Sequence, residues 1–180
     1  GWICISVYFP PDYRSHFRQL TAFSANPRTL SAMRVAILAF PRFQLLDVAG
    51  PADVFAEASQ QLGDPRAYRV QVISSGESML KSSGGLRLGV DSTVATHRGA
   101  IDTLLVAGSP RIEDMESDTQ LQDWLRRQAG AVRRYGSVCS GAFVLAASGL
   151  LDGKRVATHW NVATGLAAAY PRARVEADAI

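Results

Sequence analysis

The chain has 180 residues, 47% of them hydrophobic and 19% charged, the size and balance of one globular domain with an ample core, which excludes an intrinsically disordered polypeptide. Every apolar stretch is interrupted by Pro, Arg, Asp or Gln before it reaches about 18 residues, so a membrane-spanning helix is excluded. The net charge of +3 is concentrated early, where Arg14, Arg18 and Arg28 face only Asp12, and the nearly neutral remainder lacks the basic face of a domain that grips nucleic acid.

Residues 1–32 open with a short apolar run that lacks both a basic start and a cleavage site, so it reads as a poor signal peptide. Pro10, Pro11, Ser24, Asn26 and Pro27 then break every periodic pattern. The expectation is a disordered N-terminal extension without packing partners, with the folded domain starting at Met33. Residues 35–40 form a continuous apolar run, the mark of a strand covered on both faces. A helix is expected over 51–62, with Pro51 in its first turn and Gly63 at its end. Residues 68–74 read as a second strand. Residues 78–81 and 86–90 read as the arms of a hairpin around Ser83-Gly84-Gly85.

Residues 101–107 form the third main strand, closed by Gly108. A helix follows over 118–130 with Leu121, Trp124, Leu125 and Gln128 on one face. The one basic cluster, Arg126, Arg127, Arg133 and Arg134, flanks that helix and reads as a solvated face. A fourth strand at 135–138, a helix over 141–148, a short strand at 155–157 and a helix over 161–170 complete an alternation of strands and helices. Such alternation predicts an α/β fold with a mainly parallel sheet. Residues 174–180 look like the start of another strand with no closing helix, so the domain at 33–180 is expected to be truncated at its C-terminal end.

Cys4 and Cys139 give no disulfide framework, and with no CxxC and three scattered histidines no metal or cofactor is expected and a reducing cytoplasm fits best. Ser137-Val138-Cys139-Ser140-Gly141 runs from a strand straight into a helix. That is the pattern of a nucleophile elbow, in which a small residue lets the turn close and the side chain stands above the carboxyl edge of the sheet. The helix amino end there favours a thiolate, although Cys139 is equally readable as a small buried hydrophobe. Asp47 lies between the first strand and the first helix, as a helix cap or as an acid beside the thiol. His159 either orders a thiolate or caps and packs.

These segments occur in one order: residues 34–55 with Asp47 and Gly50-Pro51, Leu104 to Ser109, Ser137 to Phe143, Gly149 to Gly153 and Ala157-Thr158-His159-Trp160. The chain thereby resembles the ThiJ/PfpI branch of the class I glutamine amidotransferase-like superfamily. More closely, it resembles the amino-terminal domain of AraC-family transcriptional regulators that carry an amidase-like sensor. The resemblance covers residues 34–180. It implies a flavodoxin-like three-layer sandwich with Cys139 as the reactive or ligand-facing group, Asp47 as its acid, and the amides of Gly108, Ser109 and Ser140 around an oxyanion pocket. His159, twenty positions after Cys139, matches a histidine that recurs in several branches.

The sequence departs from the family pattern where Ser140 stands in place of the histidine of the peptidase-like branch, and Gly108-Ser109 in place of a double glycine. The function implied is a small-molecule-sensing, homodimeric domain, with no membrane association and with DNA contact left to a helix-turn-helix domain outside these residues. The alternative is an isonitrile hydratase-like lyase in which Cys139 attacks an electrophilic carbon and Asp47 shuttles the proton.

Overall fold

Strands that are apolar on both faces need cover on both sides, and two sets of elements supply it here. The computed structural model describes residues 5–7 and 32–176. The main sheet is built from β1 (Ile5–Val7), β2 (Met33–Ala39), β3 (Tyr68–Ser74), β6 (Ser92–Thr93), β7 (Thr103–Val106) and β8 (Arg134–Val138), in the order β1-β8-β7-β2-β3-β6. All its pairings are parallel except that of β1 with β8. On one face Ile37, Ala39 and Leu105 pack with Val48 and Phe55 of α1 (Leu45–Gln61) and with Leu80 of the antiparallel hairpin β4 (Met79–Lys81) and β5 (Arg87–Gly89).

On the other face Ala36, Leu38, Leu104 and Val106 pack with Leu121, Leu125, Leu145 and Leu166. These come from α3 (Thr119–Ala129), α4 (Ala142–Ala147) and α5 (Trp160–Ala169), with the short α2 (Glu113–Glu116) beside them. The result is three layers, helix and hairpin on one side of the sheet and helices on the other. The strict alternation of side chains between the two cores explains why β2 and β7 read as unbroken apolar runs.

Three expectations are corrected by the structure. The first helix starts at Leu45, so Pro51 lies inside it. The missing N–H of Pro51 leaves the Asp47 carbonyl without its usual donor four residues on, one lost bond that the surrounding packing tolerates. The third strand is confined to Thr103–Val106. Ile5–Val7, expected to have no partner, pair with Val138, Ser137 and Gly136 on the outer edge of β8; the remainder of the expected extension lies outside the described residues. At the far end, β9 (Arg155–Val156) and β10 (Arg174–Val175) pair parallel in a small sheet of their own, and residues 177–180 lie outside the described residues.

Candidate functional site

Parallel strands align their carboxyl ends, so whatever follows β2, β7 and β8 gathers at one edge of the sheet. After β8 the chain enters a 3-10 turn, Cys139–Gly141, and then α4. Cys139 has φ of 54°, one of two non-glycine residues with positive φ among the described residues, the other being Arg42. An L-residue in that region carries roughly 1–2 kcal/mol of backbone strain, and the elbow sustains it by tight closure. A Cβ placed on Gly141 would strike the carbonyl oxygen of Val106 and stand 2.8 Å from that of Ala107, so only glycine lets the turn sit on the end of β7. Cys139 is half-buried and is not in a disulfide.

The neighbouring side chains lock this turn. Ser140 Oγ accepts from the Ser109 amide at 3.0 Å and donates to the Ser109 carbonyl at 2.9 Å. Ser109 Oγ donates to the Arg42 carbonyl at 3.0 Å and accepts from the Arg111 amide at 3.0 Å. From the other side Thr158 Oγ1 donates to the Cys139 carbonyl at 2.8 Å. Each of these hydroxyls is buried, so the bonds also meet the cost of placing polar groups inside the fold.

Asp47 does not act as the cap of α1, a position held by Gln44. Its carboxylate is buried and accepts from the Gly108 amide at 2.9 Å. A Cβ on Gly108 would lie 2.8 Å from both Asp47 Oδ2 and Ser140 Oγ, which places the acid and the elbow a single side chain apart. Burial pushes the Asp47 carboxyl above its ordinary value of 3.8, against the opposing pull of the Gly108 N–H and of His159. His159 caps α5, its Nδ1 accepting from the Asn161 amide at 3.2 Å, and its ring stacks on Trp160 with centroids 5.5 Å apart.

The structure therefore brings Cys139, Asp47, Gly108, Ser109 and Ser140 together, with His159 near enough to act on Asp47 electrostatically. Of the expected oxyanion donors, the Gly108 and Ser109 amides both donate within the protein, which meets the cost of burying them. Two participants were missed. For Thr158 the signal is its hydroxyl in the Ala-Thr-His-Trp run, beside His159. Arg42 gives no signal, since nothing in the sequence marks a non-glycine residue at positive φ. Among the described residues no group of three His, Cys, Asp or Glu side chains converges as a metal would require, and no helix is long and apolar enough to cross a membrane.

The family model described as the DJ-1/PfpI family matches residues 33–178. A protein of the cpoL 5′ region of Streptomyces lividans is 38% identical over 79% of this chain and 99% of its own length. The isonitrile hydratase of Pseudomonas putida is 35% identical over 72% of this chain, and the regulator GbdR of Pseudomonas aeruginosa is 28% identical over 81% of it. The chain spans only 53% of that hydratase and 39% of that regulator. Among solved structures, a ThiJ/PfpI protein from Pseudomonas syringae superposes with TM-score 0.67 at 20% identity, over 87% of this chain and 65% of the other. An AraC family transcriptional regulator from Pseudomonas putida superposes with TM-score 0.68 at 22% identity, over 80% of this chain and 76% of the other. These superpositions establish the flavodoxin-like three-layer fold.

Proposed function

Because the chain belongs to the DJ-1/PfpI family, we propose that residues 33–178 form the small-molecule-sensing domain of an AraC-type transcriptional regulator, with Cys139 as the group its effector meets. The observation that carries this reading is how the elbow is closed. The Gly108 and Ser109 amides are committed to Asp47 and Ser140, and His159 uses Nδ1 as a helix cap. A thiol placed this way stands beside two amides and one imidazole nitrogen already engaged within the protein, which leaves fewer groups for rapid acyl transfer and favours recognition. Trp160, 71% exposed and stacked on His159, offers an aromatic face to a ligand, and Asp47 has its pKa raised by burial. Gly108, Ser109 and Ser140 hold the frame of the pocket.

Regulators among the relatives, GbdR and the Rhizobium meliloti regulator GlxA, align along most of this chain but less than half of their own length. That division of labour, and the helix-turn-helix designation in their names, supports DNA contacts made by a separate helix-turn-helix part; the reading takes the whole as a cytoplasmic homodimer. The competing activity is hydration of an isonitrile, the reaction in the name of the 35% identical relative. Incubating the full chain with cyclohexyl isonitrile and, separately, with iodoacetamide under native conditions distinguishes them. The sensor reading expects Cys139 to be alkylated in the folded protein and no formamide to accumulate. Formamide production that is lost in Cys139→Ala would transfer the assignment to the hydratase, and alkylation that requires denaturant would remove Cys139 from both.

A further inference from the structure

The opposite edge of the sheet carries a second concave site, unconnected with Cys139. Arg34 near the start of β2 and Arg69 near the start of β3 are register partners on adjacent parallel strands, so their side chains leave the same face side by side. Both line a cavity of about 280 Å³ together with Gln71, His97, Arg98 and Gly99. Among the described residues no carboxylate lies within ion-pairing distance of Arg34, Arg69 or Arg98, since the ion pairs found involve Arg66, Arg111, Arg126, Arg155 and Arg172. Asp102 has its Oδ2 on the Arg34 backbone amide at 2.7 Å. Like charges paired across adjacent strands repel, and a concave wall concentrates their field.

The wall is fixed in place. Arg34 and Asp102 bond reciprocally through the Arg34 amide and the Arg34 carbonyl. His97 bridges Ser92 Oγ at 3.2 Å and the Gly99 carbonyl at 3.3 Å, which ties residues 97–99 to β6. Gly99 has φ of 125°, and a Cβ there would stand 3.5 Å from Arg34 Nη1, so the guanidinium lies close over the glycine backbone. Arg98 Nη1 is held by bonds to the Ala95 and His97 carbonyls. Guanidinium groups match phosphate oxygens in pairs, and the cavity is at the small end of ligand sites.

We propose that this pocket binds the phosphate or diphosphate group of a small molecule, held between Arg34 and Arg69 with Arg98 at the mouth. The test is titration calorimetry and thermal unfolding of the full chain with sodium diphosphate, at ionic strength held constant with sodium chloride. Diphosphate should bind saturably and raise the melting temperature, and Arg69→Gln and Arg34→Gln should each weaken binding about tenfold or more. In phosphate-free buffer of low ionic strength Arg69→Gln should melt no lower than the wild type, because it removes a repulsion. Arg127→Gln, an exposed charge elsewhere, should bind as the wild type does. Diphosphate acting no differently from chloride would overturn the proposal, as would full binding by both pocket variants. Binding of duplex DNA that diphosphate does not compete away would overturn it in favour of a nucleic-acid contact.

Discussion

Cys139 and Asp47 carry opposite kinds of tension, one in the backbone and one in the charge, and each has a measurable sign. At φ of 54° Cys139 occupies a region where glycine pays no steric penalty. Alanine is ordinarily the better residue within a helix; here Cys139→Gly should be more stable than Cys139→Ala by about 1 kcal/mol, read from urea unfolding, and the helical order would show that the elbow is unstrained. Asp47 is raised by burial, so the native state holds its proton to higher pH than the unfolded chain does. The stability it contributes is complete below the ordinary value of 3.8 and is lost as pH rises through the raised native value. Asp47→Asn escapes that loss while keeping an oxygen for the Gly108 amide. Its melting temperature relative to the wild type should therefore climb from pH 3 toward neutrality, and a falling difference would show that the carboxylate is stabilised in place. Sequence made both residues visible as candidates, Cys139 through the strand-to-helix pattern and Asp47 through its place before a helix. Their bonds were not legible, because Asp47 meets Gly108 across 61 positions and Ser140 meets Ser109 across 31.

Among the elements, those whose ends are set by local chemistry were the easiest to read. Helix α3 runs from Thr119 to Ala129, one residue inside each end of the expected 118–130, and Asp118 at its N-cap accepts from the Leu121 amide through Oδ1 at 2.9 Å. Asp118→Ala should cost about 1 kcal/mol in chemical denaturation, and Asp118→Ser should recover most of it; equal losses in both would mean that the aspartate acts through its charge. The start of α1 at Leu45 departs from the expected residue 51 for the converse reason. Pro51 is as acceptable to a first turn as its fixed φ suggests, but tertiary packing of Val48 against the sheet draws the helix six residues further back. The hairpin β4–β5 announced itself through Ser-Gly-Gly, whereas α2, one turn long, has no periodicity to detect. β9 and β10 are two residues each, too short for alternation to say which sheet they join.

For the molecule as a whole, the decisive feature is the edge beside the elbow. β8 pairs with β7 on one side and with Ile5–Val7 on the other, so the strand that delivers Cys139 is bonded along both edges over the residues leading into the turn. Residues 1–32 contain no periodic pattern that would have predicted this, because three residues of strand are below what alternation resolves. An open edge at β8 would present unpaired N–H and C=O groups to other copies of the chain. Deleting residues 1–32 should thus do more than trim a tail. The shortened chain is expected to melt at lower temperature in calorimetry and to elute partly as higher oligomers in size-exclusion chromatography with light scattering. Native alkylation of Cys139 should also accelerate, since the strain at the elbow is then opposed by one fewer strand. A shortened chain that matches the full one in melting temperature, mass and alkylation rate would show that the β1 pairing contributes nothing to the sheet, and that the fold and its elbow rest on residues 33 onward alone.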